Sequence, residues 1–175
     1  MKTTGVVRRI DDLGRIVIPK EIRRTLRIKD GESLEILVDN DTITLKKFST
    51  LNDFITVSEV LCNSVSEVIR KHVLITNIDK VVAVSAGLRE KGFNKNISKY
   101  MENLIINRQK VVYNNVSSEI FDGVFFDCSY LVYPIIVAGD VFGLVIILSF
   151  DNSIDNRDEQ VASILKNFLE KNIEG

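Results

Sequence analysis

The stretch Gly5-Val6-Val7-Arg8-Arg9-Ile10-Asp11-Asp12-Leu13-Gly14-Arg15-Ile16-Val17-Ile18-Pro19-Lys20-Glu21-Ile22-Arg23-Arg24 decides the reading of the N-terminal half. Thr4–Ile10 reads as a short strand, and Asp11–Gly14 as a loop whose glycine can take a positive φ. Arg15–Ile18 is β-branched at three positions and reads as a second strand. Pro19 stands where a helix can begin, since the first helical N–H needs no intrahelical partner. The helix is expected over Pro19–Arg27. Ile22 and Leu26 share one of its faces, while Lys20, Arg23, Arg24 and Arg27 point elsewhere. Farther on, Leu34–Val38 and Thr42–Phe48 read as strands around a tight turn at Asn40-Asp41.

Charge singles out the same region. The chain of 175 residues has a net charge of −1. Residues 1–29 nevertheless hold nine basic and three acidic side chains, a balance of +6, and the remainder is acidic. A basic head on an acidic body points to nucleic acid or another anionic surface as the partner of the head. No helix precedes the basic helix, so a helix-turn-helix is excluded. About fifty residues bury too little surface to be stable alone, and there is no disulfide or metal to help. The head is therefore expected to be an obligate dimer with interleaved strands.

The quoted run, continuing ungapped through Leu45, resembles the DNA-binding domain of the AbrB transition-state regulators. The resemblance implies an N-terminal swapped-hairpin AbrB-like β-barrel dimer that holds double-stranded DNA through arginines of its loop and helix. Carried onto this sequence, these are Arg8, Arg15, Arg23 and Arg24, and Arg9 stands where relatives also carry a basic residue. With its longer C-terminal half the chain resembles the SpoVT/AbrB family. That implies a sequence-specific transcription regulator of late, forespore-stage sporulation genes, activating or repressing.

Residues 51–71 read as a linker helix with Phe54, Val57, Leu61, Val65 and Val68 in a coiled-coil-like stripe. Two roles remain open for it: a seam between copies, giving a tetramer, or packing on its own domain. Thr50 and Asp53 have capping-box spacing at its start. In residues 72–175 the expected elements are strands Val73–Thr76, Val81–Ser85 and Val111–Tyr113, a helix Ser98–Arg108 capped by Ser98, and a hairpin Ser129–Val137/Val141–Phe150. A last amphipathic helix follows the Asp155/Asp158 pair, with Val161, Ile164, Leu165, Phe168 and Leu169 as its apolar stripe. The class is α+β, an antiparallel sheet with helices expected on one face. Residues 56–172 resemble a GAF sensor domain, which implies that sheet, helix and loop can enclose a small-molecule ligand. Three segments are thus expected: a DNA-binding domain (1–50), a linker helix with an oligomerisation seam (51–71), and a GAF-like sensor or assembly domain (72–175).

A search for chemistry returns little. Two cysteines without a CxxC and a single histidine, His72, argue against a zinc site or disulfide framework and for a reducing cytoplasm. No apolar run reaches transmembrane length, and no signal peptide precedes the head, so no membrane partner is expected. Gly87–Gly92 has GxxxxG spacing but continues Phe93-Asn94 rather than Lys-Ser/Thr, so it is no P-loop. Asn94-Lys95 resembles the start of a cyclic-nucleotide signature whose remaining residues are missing. His72 and Cys62 read as structural, and Cys128 has no nearby base to activate it. The carboxylate pairs Asp11-Asp12 and Asp158-Glu159 do not face each other as an acid/base pair would. No catalytic residue, metal or cofactor is expected, and the chain does not read as an enzyme. The alternative function is an antitoxin and autorepressor that uses the same DNA-binding fold, against which stand 125 further residues of patterned sequence.

Overall fold

A computed structural model describes residues 5–28, 30–47 and 55–174. The chain divides into two compact units, Met1–Phe48 and Ser49–Gly175.

In the first unit α1 spans Lys20–Thr25, with Pro19 just before it in an extended conformation. It ends sooner than its expected limit because Arg27 turns left-handed (φ 51°), so that the Ile28 N–H reaches back to the Arg23 carbonyl at 2.7 Å. Strands β1 (Leu34–Asp39) and β2 (Thr42–Lys47) form an antiparallel hairpin with Asp39 opposite Thr42. The expected strands at Thr4–Ile10 and Arg15–Ile18 are not formed: Thr4 lies outside the described residues, and residues 5–18 belong to no sheet. The reason is physical, since a strand is held by a cross-strand ladder and one copy of this chain supplies none. No described residue of 5–46 is buried. Val7 is 93% exposed, Val17 73% and Leu13 72%.

The second unit opens with α2 (Ile55–Ile69), followed by β3 (His72–Thr76), β4 (Val81–Val84), a 3-10 turn (Ala86–Leu88) and the short α3 (Arg89–Gly92). Then come α4 (Lys99–Asn107), β5 (Val111–Phe121), β6 (Val124–Val137), β7 (Asp140–Ser149) and α5 (Asn156–Glu174). The five strands form one antiparallel sheet in the order β4-β3-β7-β6-β5. At the β6–β7 turn Ala138 and Gly139 both have positive φ (49° and 90°), matching the right-handed twist of the flanking strands. Gly143 is required by a close approach: a Cβ there would stand 1.8 Å from the Thr76 carbonyl oxygen.

Helices cover both faces of the sheet, a correction to the one-face expectation. On one face α2 and α5 pack through Cys62, Ala162 and Leu165 onto Val73, Ile75, Leu131, Val145 and Ile147. On the other, α4 and the 3-10 turn pack through Met101, Leu104 and Leu88 onto Leu74, Val132, Ile146 and Leu148. Strand β7 is apolar without alternation because each of its faces meets a helix. Strands β5 and β6 also run farther than expected, joined by a turn in which Gly123 has φ 73°. The helix starts follow the sequence. The Ser98 Oγ accepts the Met101 N–H at 3.3 Å. Asp155 and Asp158 cap α5 reciprocally, each carboxylate accepting the other's N–H (2.9 and 3.1 Å).

The α2 stripe divides. Ser58 and Cys62 are fully buried and Leu61 and Val65 pack on the sheet, whereas Val57, Val60 and Val68 are exposed. Phe54 and the Thr50/Asp53 pair lie outside the described residues. In α5, Leu165 and Leu169 are buried but Ile164 and Phe168 face out.

Candidate nucleic-acid interface

The head's arginines are held by two local devices. The first is the turn Asp11–Arg15. The Gly14 N–H donates to the Asp11 carbonyl at 3.0 Å, and Gly14 takes φ 75°. The Asp11 carboxylate organises the rest: Oδ1 accepts the N–H groups of Leu13 (3.1 Å) and Arg15 (2.7 Å), and Oδ2 accepts Nε–H of Arg15 at 2.8 Å. The Arg15 N–H and guanidinium hold this carboxyl below the usual carboxylate range. Because Asp11 takes only Nε, both terminal amino groups of Arg15 stay free for a bidentate contact with phosphate or a guanine edge.

The second device is at α1. Arg23 donates through Nη1 to the Asp30 Oδ1 at 2.6 Å, and its side chain is 39% exposed. Its Nε is buried without a hydrogen-bond partner. Arg24 on the same helix is exposed, as are Arg8 and Arg9 ahead of the turn. None of these three side chains makes a hydrogen bond or ion pair within the described residues. Of the five arginines expected at the site, then, Arg8, Arg9 and Arg24 project freely, Arg15 is aimed by Asp11, and Arg23 is tied to Asp30. Sequence reasoning missed both aspartates; the four-residue spacing of Asp11 and Arg15 around Gly14 was the available signal.

In the second unit the described cysteines and histidine are held in unreactive settings. Burial, then Glu59, pushes the Cys62 thiol up to about 12, and burial, then Asp127, pushes Cys128 up to about 11. Neither is a thiolate near neutral pH. His72 stacks edge-on with Phe150 at 5.4 Å, and burial lowers its pKa despite Asp151. Gly87 passes beneath the His72 ring, and Gly92 closes α3 instead of cradling a phosphate. No group of three or more His, Cys, Asp or Glu able to hold a metal occurs among the described residues. Nor is any described helix long and apolar enough to cross a membrane.

Residues 53–174 match the family described as stage V sporulation protein T C-terminal, transcription factor, and residues 7–49 match antidote-toxin recognition MazE, bacterial antitoxin. Stage V sporulation protein T of Bacillus subtilis (strain 168) is 38% identical over 177 residues, covering 99% of each chain. The transition state regulatory protein AbrB of the same organism is 58% identical over 48 residues, 27% of this chain and 50% of that one. The solved structure of the A. aeolicus nlh2 GAF domain superposes with a TM-score of 0.53 at 13% identity, covering 69% of this chain and 85% of that one, which shows the fold of the second unit. The chain belongs to the stage V sporulation protein T family of transcription factors, with an AbrB-like DNA-binding head and a GAF-fold body.

Proposed function

We propose that two copies of this chain pair through residues 5–46 and present Arg8, Arg9, Arg15, Arg23 and Arg24 as one DNA-binding face. The carrying observation is that no described residue of 5–46 is buried within one chain, while Val7, Val17, Leu13 and their apolar neighbours stand exposed. Each such side chain stabilises by about 1.5–3 kcal/mol when fully covered, so the missing core is intermolecular. Pairing strands 5–10 and 15–18 with those of a partner would also satisfy their backbone groups and yield the swapped-hairpin barrel. The genes served are those of sporulation, as the full-length relative's name suggests, and in this reading they are activated or repressed in the forespore cytoplasm. The body serves assembly and small-molecule sensing, and no catalytic step is assigned to it. Val57, Val60 and Val68 of α2 and Ile164 and Phe168 of α5 remain exposed for contact with a second dimer, which would make a tetramer.

Two measurements test this. DNase footprinting of the purified chain on genomic fragments is expected to give discrete protected sites, and uniform weak binding would refute sequence-specific regulation. Light scattering is expected to show a dimer or tetramer whose mass falls in the Val68→Asp variant if the second dimer docks there. The MazE match keeps the antitoxin reading distinct: it requires a toxin enzyme to co-purify with the chain in stoichiometric amount.

A further inference from the structure

Arg15 and Arg23 are each held by an aspartate, but through different nitrogens, and this divides what each can grip. Asp11 takes the Nε–H of Arg15 through Oδ2 at 2.8 Å, while its Oδ1 is occupied by the N–H groups of Leu13 and Arg15. The turn thus fixes the carboxylate, and the carboxylate fixes the guanidinium. The Arg15 side chain is 71% exposed, so its two terminal amino groups stand off the loop as a braced fork. Arg23 is held the other way round. Its Nη1 donates to the Asp30 Oδ1 and its Nε is buried, which leaves Nη2 as its remaining donor nitrogen. The side chains of Arg8, Arg9 and Arg24 have no anchor among the described residues, so DNA itself must order them.

Guanine offers two acceptors, O6 and N7, on its major-groove edge, and one guanidinium matches both with two N–H groups. A phosphate oxygen can be held by a single N–H and carries no sequence. We propose that Arg15 is the guanine-reading residue of the head, that Asp11 is the positioning residue that sets this specificity, and that Arg23 holds backbone phosphate through its remaining amino group. Reading a base edge needs both N–H groups aligned at once, and a guanidinium already held at Nε loses less freedom on binding than a free one. Asp11 places a negative charge beside DNA, which weakens binding to every sequence alike. The alignment it gives Arg15 is felt only where a guanine stands opposite, so its net effect is discrimination rather than affinity. The inference rests on the DNA-binding reading above and gives its arginines their separate roles.

The test uses the full chain and a duplex bearing one site protected in the DNase footprint. Each guanine is replaced in turn by 7-deazaguanine, which lacks N7, or by inosine, which keeps both N7 and O6. At one guanine or more, 7-deazaguanine should weaken binding by about fivefold or more, while inosine at the same position is tolerated. Arg15→Lys keeps the charge but not the fork, so it should bind the guanine and 7-deazaguanine duplexes equally. Arg23→Ala should keep the 7-deazaguanine penalty while the slope of log affinity against log salt shrinks by about 0.9. Asp11→Asn keeps an oxygen for the two turn N–H groups but can set its amide NH2 against the Arg15 Nε–H. It should lose about tenfold on the site and nothing on a scrambled duplex, a difference that a merely structural role would not produce. The proposal is overturned if no guanine of the site is sensitive, if the penalty survives Arg15→Lys or vanishes in Arg23→Ala, or if Asp11→Asn loses equally on both duplexes. Discrete footprints with any of those results refute this assignment alone; a footprint without discrete sites refutes sequence-specific reading and this assignment with it.

Discussion

Lys71 and Asp158 form a buried ion pair, and replacing either side chain alone should destabilise the body more than replacing both. Lys71 follows the end of α2, where Arg70 turns left-handed (φ 54°). Its Nζ donates to the Asp158 Oδ2 and, at 2.9 Å, to the Ser153 carbonyl. The two side chains are 8% and 3% exposed. Lys71→Met leaves the Asp158 carboxylate buried with the Asp155 N–H as its remaining partner, and removal of one partner from such a pair costs about 3–5 kcal/mol. Asp158→Asn keeps the cap geometry but strands the ammonium, with a similar cost of about 3–5 kcal/mol. In the double variant no charge is left uncompensated, so it should cost less than either single change, a coupling of at least about 3 kcal/mol. All four tyrosines lie in residues 100–133, so tyrosine emission during urea unfolding follows the body without interference from the head. Each single variant should lower the thermal midpoint by about 10–20 °C in a unit of this size. Single-variant costs below about 1 kcal/mol, typical of solvated surface pairs, or a double-variant cost equal to the sum of the singles, would refute the reasoning.

Arg8→Ala and Arg9→Ala should each cost about 1–3 kcal/mol of DNA affinity if they read bases, or lower the salt slope by about 0.9 if they hold phosphates, as measured by fluorescence anisotropy at several salt concentrations. Asp11→Ala removes a negative charge beside DNA yet should weaken binding, because Arg15 loses the acceptor of its Nε–H; tighter binding would refute the positioning role. Cys62 and Cys128 should resist iodoacetamide at pH 8 in the folded chain and react on unfolding. Their raised folded pKa values mean that the native chain keeps protons the unfolded one loses, so their contribution to stability is full below about pH 9 and is lost as pH rises through about 11 and 12. Gly143→Ala should destabilise the body by at least about 3 kcal/mol, since a methyl group cannot coexist with the Thr76 carbonyl oxygen without parting β3 from β7; a midpoint within error of wild type would contradict that close approach.

Where a signal was local, the sequence carried it. The Ala138-Gly139 turn, the Ser98 cap and the Asp155/Asp158 box each depend on residues within four positions of one another, and each formed as expected. The outer halves of β5 and β6 were missed because Asn114, Asn115, Ser117, Ser118 and Asp127 interrupt the apolar pattern. These residues lie in a bulged edge strand or directly beside it, where half the side chains meet water. The two-sided covering of the sheet was legible in the unbroken apolar run of β7 and was read only as a strong strand. At the DNA face the basic residues announced themselves by composition, but their aspartate partners did not. Asp11 acts through three hydrogen bonds of turn geometry, and Asp30 reaches Arg23 from beyond the helix end.

The two units draw their stability from different sources, and this decides how variants sort. The body has two buried clusters of its own, one on each face of its sheet, so its unfolding is a property of one chain. In the head no described residue of 5–46 is buried in one chain. If its core forms between copies, its folding depends on protein concentration and on anything that binds the paired state, DNA included. A change such as Val7→Asp should then lower DNA affinity through the dimer equilibrium, steeply at low protein concentration and little at high, while the tyrosine transition of the body stays in place. Arg8→Ala should lower affinity by the same factor at every concentration, because it alters the DNA face and not the pairing. The concentration dependence of the loss thus separates residues that build the head from residues that read DNA. A Val7→Asp loss that did not vary with concentration would place Val7 among the latter.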